Sequence, residues 1–263
     1  MSTSQWAVFP YQHASFLYDA EGLRQQWSRL HAGDAEPWPR KPALIDAWRL
    51  FHAGEFRAAH EAGITAAEAG NYAGLTVANK AQAIYAHYLE RQDKAKQAMF
   101  LAVAERAARH QALDPENPNA YYWQGYALGR HAQSLGVAKG MGQGLGPKIL
   151  SALGMTIELA NKHADAHMAL GTFHAEVVGK VGRLIGRTQG ADVATGVAMF
   201  QRVLSLNPHS PIAMIERANG LLMLEGEKRR AEVEALFIDA AAAEPRDALE
   251  CLGVELARDR LDE

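Results

Sequence analysis

The sequence predicts an all-α protein built from successive pairs of packed helices. Alanine, the best helix former, is used heavily throughout. The alternation of Val, Ile and Thr with polar residues that marks a half-buried strand is missing. Pro and Gly punctuate the chain at intervals that repeat, the two spacings between Pro115, Asn161 and Pro208 being roughly 46–47 residues.

An N-terminal extension occupies 1–41. Phe16, Leu17, Leu23, Trp27 and Leu30 recur at near-helical spacing, which predicts one helix over 14–30. Gly33 and Asp34 end it, and Pro37, Pro39 and Pro42 make a stiff linker. The repeat domain then covers 42–263. Its first helices are expected at 43–53 and 56–69, turning at Gly54 and Glu55, and at 72–90 and 94–113 after a turn at Gly70 and Asn71. Asp114, Pro115, Glu116, Asn117 and Pro118 stop the chain and set up an N-cap, because Pro cannot continue a helix and Asn can cap one. Asn207 and Pro208, and later Glu244 and Pro245, repeat that punctuation before a last helix at about 247–261.

Within the units, small residues recur where large ones can fill them. Ala47, Gly54, Phe56, Ala59 and Ala66 do so in the first, and Tyr122, Trp123, Gly125, Tyr126 and Leu128 in the third. Ala166, Leu170, Gly171 and Phe200 follow in the fourth, then Ala213, Ala218, Gly220 and Phe237 in the fifth. A Gly or Ala on one helix leaves a hole that an aromatic or Leu of its neighbour fills. One pair cannot bury its apolar face alone, whereas a stack can. The pattern is that of a tetratricopeptide-like α-α superhelix, a solenoid with elongated repeats. The excess length falls in two glycine-rich insertions that carry only positive charge. One runs from Gly136 to Lys148 through Lys139, Gly140, Gly142, Gly144 and Gly146. The other runs from Gly179 to Gly190 through Lys180, Gly182, Arg183, Gly186 and Arg187. Read as inter-helix loops, both are expected on the same edge of the stack.

The order of an aromatic helix (Tyr121, Tyr122, Trp123, Gly125), a Gly and Lys insertion, the 164–171 helix start, a second basic insertion and the ending from Phe200 to Pro208 resembles tetratricopeptide-like proteins related to the regulator of microtubule dynamics. The T-component of tripartite periplasmic transporters is a more distant likeness. The resemblance spans roughly 51–245 and implies an α-helical superhelix with a binding role, and no catalytic residue.

At 263 residues the chain can bury roughly three-quarters of its unfolded surface, so it needs no disulfide or metal to fold. The net charge of −3 argues against nucleic acid as the main partner. The lone Cys251 leaves no disulfide framework and reads as a packing residue. No secretory signal and no apolar run of about 18 residues is visible, so a cytoplasmic chain without a membrane span is expected. No cofactor motif is recognised either. The glycines from 140 to 146 lack the Gly-Lys-Ser/Thr ending of a phosphate loop.

These features lead to an interaction scaffold that binds another protein or peptide, acidic in character, in a concave groove with a basic rim. The expected contact residues are Tyr122, Tyr126, Arg130, Lys148, Lys180, Arg183 and Arg187. The alternative is a small-ligand binder or metal-dependent enzyme using the 163–174 segment, where His163, His167 and His174 cluster. There, packing and surface histidines are the simpler reading.

Overall fold

The computed structural model describes residues 6–263. Among them there is no β-strand, and thirteen α-helices follow one another. They are α1 (Ala20–Leu30), α2 (Pro42–His52), α3 (Phe56–Glu68), α4 (Gly74–Tyr88), α5 (Asp93–Leu113), α6 (Pro118–Leu135), α7 (Val137–Gly142), α8 (Leu145–Leu159), α9 (Ala164–Thr188), α10 (Val193–Leu206), α11 (Pro211–Glu225), α12 (Arg230–Ala242) and α13 (Ala248–Asp262).

Caps fix the starts. Asn117 accepts from the Asn119 N–H with Pro118 at the first helical position, as the sequence predicts for α6. Asp192 holds the Thr195 N–H at the head of α10, Ser210 the Ala213 N–H at α11, and Asp247 the Glu250 N–H at α13. Asp19 does the same for Gly22 at 2.7 Å. This is why the helix expected over 14–30 begins only at Ala20, with a short 3₁₀ turn at Ala14–Phe16 before it.

Large-into-small packing is the recurrent joint. A Cβ placed on Gly171 of α9 or Gly220 of α11 would come within 2.9 Å or 2.3 Å of the Phe200 ring, so Phe200 of α10 is held between two glycines. Leu153 of α8 fills the space over Gly125 of α6 in the same way. At α3 and α4 the backbones themselves meet, with Gly63 against Gly74.

Consecutive helices pack in order from α2 to α6, and α6 packs on α8 across the short α7. The series resumes from α8 to α13. A second set of contacts links α2 to α4, α4 to α6, α6 to α9, α9 to α11 and α11 to α13, and α13 touches α2. These six helices therefore enclose an interior. Most of α4 is buried, Gly74 through Ala86 without interruption. The N-terminal extension is part of the same body. Phe9, Phe16, Leu23 and Trp27 share a core with Trp48, Phe51 and Leu252, and residues 31–36 run into the interior.

Both insertions differ from the loops expected of them. The first forms α7 and the start of α8. The second continues α9 through a break at Gly182 (φ 82°, ψ 165°). Tertiary packing outweighs the poor helix propensity of glycine here. Gly140 lies so close to Ala132 that a Cβ would meet its methyl at 2.9 Å. Val137 of the first packs on an apolar cluster that includes Val177 and Val178, and Val181 of the second packs on the same cluster.

Candidate functional site

The interior is polar where residues 31–36 enter it. Asp34 is fully buried and receives three groups. Lys80 Nζ of α4 donates to Oδ2 at 2.6 Å, His31 Nδ1 lies 2.8 Å from Oδ1, and the Glu36 N–H approaches Oδ1 at 3.3 Å. The Lys80 ammonium stands 5.1 Å from the Phe51 ring centroid and 5.5 Å from that of Trp48, so aromatic faces cover what Asp34 does not. Asn119 donates from Nδ2 to the Asp34 carbonyl and to Glu36 Oε2, and the Asp165 N–H donates to the Gly33 carbonyl. At the closing seam, His52 Nδ1 lies 2.7 Å from Asp247 Oδ2, and Arg29 pairs with Glu250.

Burial shifts these groups in different directions according to their partners. For Asp34 it acts upward, but His31 and Lys80 outweigh it and hold the carboxyl well below the usual range. Lys80 is likewise raised, because Asp34 overcomes the cost of burying its charge. Asp165 forms no ion pair among the described residues, and burial and then the Asp34 charge lift it to about 7, with the Lys80 charge only partly opposing the shift. Burial, again followed by Asp34, lifts Glu36 to about 8. Glu250 is raised by burial and Asp247, against the pull of Arg29. His31 is pressed down to about 4 by burial.

A cavity of about 60 Å³ lies among these groups, walled by Arg29, Lys80, Tyr88, Tyr122, Asp165 and Glu250. Trp123 also lines it, and its indole N–H has no protein partner. A second cavity of about 70 Å³ adjoins, sharing Tyr126, Arg130 and Met168 as walls. Its lining is mostly apolar and comes from Leu145, Ile149, Leu153, Phe173 and Val177, with α7 supplying Val137, Gly140 and Met141. Polar side chains converge on one end of it, among them Arg130, Gln133, Thr172, Glu176 and Glu216. Arg130 pairs with Glu216, which also accepts from Thr172 Oγ1 at 3.1 Å, and Glu176 is half-buried with its carboxyl raised by burial.

Of the residues singled out in the sequence, Tyr122, Tyr126 and Arg130 come together here. Tyr122 and Tyr126 are only 2% and 7% exposed. Lys148, Lys180, Arg183 and Arg187 are exposed on the outside and belong to the edge built by the insertions. The three clustered histidines diverge. His163 caps α9 and faces Asn119 Oδ1, His167 faces the Asn161 carbonyl, and His174 accepts from the Asp192 N–H. No group of three or more His, Cys, Asp or Glu among the described residues could hold a metal ion. Cys251 is buried, which lifts its thiol to about 11.

Asp34, Lys80, His52, Asp247 and Glu250 carry no site expectation in the sequence, and Asp165 only that of a carboxylate beside the three histidines. Lys80 had a signal, being the one charged residue in the stretch from Gly74 to Ala86. A lone ammonium in such a run needs a buried partner. That the partner is Asp34, reached from a linker, no spacing rule reveals. Among the described residues no helix is long and apolar enough to cross a membrane. No protein-family model matches the chain, and no curated protein shows significant similarity to it.

Proposed function

We propose that the chain is a binding protein of tetratricopeptide-like architecture that holds a small, mainly apolar molecule with one polar end inside the helical ring. The apolar body would lie between α6, α7, α8 and α9, and the polar end at Arg130, Thr172, Glu176 and Glu216. The observation that carries this reading is the apolar cavity with a few convergent polar groups, the usual composition of a ligand site. It adjoins a cluster of carboxyls with perturbed proton affinity, a second mark of functional interiors. A water centre needs roughly 10–15 Å³, so about 70 Å³ gives room for roughly five water-sized groups.

A partner's peptide in an open concave groove is the less supported reading. The tyrosines expected to receive it are buried, and α13 meets α2 across the would-be opening. A helix alone is about 10 Å across.

Hexanol is a suitable probe, read through the methyl resonances of the methionines. Met141 and Met168 line the cavity, whereas Met223 is exposed elsewhere. The first two should shift saturably and Met223 should not. Gly129 faces the cavity with nothing within 4 Å of its would-be Cβ, so Gly129→Leu directs its side chain into that space. That variant should bind hexanol about tenfold more weakly while gaining roughly 0.5–1 kcal/mol of helix propensity. Methyl shifts that never saturate, or that persist unchanged in Gly129→Leu, overturn the proposal.

A further inference from the structure

The end of α9 presents an unusual surface. Gly182 breaks the helix, and the following turn projects Leu184 and Ile185 outward at 81% and 50% exposure. Leu184 is the most exposed large apolar side chain among the described residues. Lys180, Arg183 and Arg187 flank the pair, all three exposed. Lys139 of α7 and Lys148 of α8 belong to the neighbouring insertion, which meets α9 through Val137 and approaches Gly190 through Leu150. Among the described residues none of these five cations forms an ion pair. Of the carboxylates that share a surface hollow with Arg183 and Arg187, Asp192 is held by the Thr195 N–H and hydroxyl and Glu225 by Arg229. Glu176 faces the Lys180 charge.

We propose that this edge docks on an anionic lipid surface. Leu184 and Ile185 enter the boundary between headgroups and acyl chains, and Lys180, Arg183 and Arg187 face the phosphates. Two features favour a bilayer over an acidic polypeptide. The aliphatic pair protrudes, and a fluid apolar layer takes a protruding side chain without a preformed hole, whereas a folded partner must supply one. The five cations come from three helices, α7, α8 and α9, and all are exposed. That arrangement suits a diffuse negative potential better than a single carboxylate. The contact is shallow and reversible, and it leaves the interior cavity free.

Flotation of the full chain with phosphatidylcholine vesicles, with and without phosphatidylglycerol, tests this. The chain should float with the mixed vesicles, and the bound fraction should fall about tenfold with phosphatidylcholine alone or at high salt. Leu184→Ser with Ile185→Ser, and separately Arg183→Glu with Arg187→Glu, should each cut binding by a similar factor. All four side chains are exposed, so both variants should keep the wild-type circular dichroism. Equal flotation with both vesicle types, no flotation with either, or wild-type binding by the Leu184/Ile185 variant overturns the proposal. Retention on immobilised polyglutamate without vesicle binding does so too, in favour of an acidic polypeptide. Hexanol binding in the cavity should be the same in both surface variants, so the two proposals fail separately.

Discussion

His31 Nε2 and His52 Nε2 face each other at 3.2 Å, and the far nitrogen of each ring meets a carboxylate, Asp34 at 2.8 Å and Asp247 at 2.7 Å. The chain of three hydrogen bonds needs three protons. With both aspartates held in their anionic form, one ring carries two N–H groups and the other one. The four residues tie the N-terminal extension, α2 and the start of α13 together. His52→Asn removes the link to Asp247 or to His31, leaving a buried carboxylate or imidazole short of a partner. The expected loss is about 1–3 kcal/mol in urea unfolding. A wild-type midpoint for that variant would show that the seam closes without the relay.

The titration of the interior sets a distinctive pH dependence. His31 and His163 are lowered to about 4 from 6.5, so below 6.5 the unfolded chain binds protons that the folded one refuses. That contribution to stability is complete above pH 6.5 and is lost as pH falls toward 4. Asp165 and Glu36 have the opposite sign. Raised to about 7 and about 8, they keep protons in the fold that the unfolded chain has released. Between pH 6.5 and 8 these carboxyls lose their protons, joined by Glu250, which burial and Asp247 raise to about 7, so stability should fall as pH rises through that window. Asp165→Asn should flatten the slope. A midpoint that climbs from pH 6.5 to 8 in the wild-type protein excludes the assignment.

Lys80 is worth more to the fold than a surface cation. Replacing it with Met leaves Asp34 buried without its cation, and such uncompensated charges cost about 3–5 kcal/mol. Asp34→Asn combined with Lys80→Met removes both charges and should cost less than the two single changes added together. Urea titration of the four proteins gives the coupling directly. Strict additivity would falsify the claim that the pair acts as a unit.

Local rules reached the helices but not the interior. Asn117 with Pro118 and the glycine holes at Gly171 and Gly220 are short-range signals, and their consequences appear at those residues. The two insertions were read as loops because glycine count dominated. Their helicity depends on contacts such as Gly140 with Ala132 and the packing of Val137 and Val181 on the cluster around Val178, which only the packed chain supplies. The polar cluster depends on still longer reach. Asp247 lies 195 residues from His52, and Lys80 lies 46 from Asp34. Tyr122 and Tyr126 were rightly grouped as aromatic neighbours, yet nothing in their spacing told whether they would face a groove or an enclosed cavity.

Phe200 measures the packing rule itself. Gly220→Ala would put a methyl 2.3 Å from its ring, and overpacking of this kind costs about 1–3 kcal/mol. Phe200→Ala opens a void between α9, α10 and α11 and should cost about 3–5 kcal/mol. Phe200→Leu in the Gly220→Ala background should recover part of the loss, because the smaller side chain leaves room for the new methyl. If Gly220→Ala is neutral in thermal unfolding, the two helices are not held at the separation described.

The proposed ligand site predicts that α7, which lines the apolar cavity, opens to admit the molecule. This helix has six residues, too few to be stable in isolation, and is bracketed by Gly136 at φ 89° and Gly144 at φ 68°. Both values lie where glycine alone is unstrained, and neither glycine has a neighbour within 4 Å of a would-be Cβ, so rotation there meets no wall. Closure depends on Gly140 seating against Ala132. Ala132→Leu pushes α7 away from α6 at that point, and should speed hexanol release several-fold with a loss of global stability no greater than about 1–3 kcal/mol. In the wild-type protein the amides from Ala138 to Gln143 should exchange faster than those of α8, and slow when hexanol is bound. Exchange over α7 that is indifferent to hexanol would mean the molecule enters elsewhere, and α7 would then be a fixed wall of the cavity.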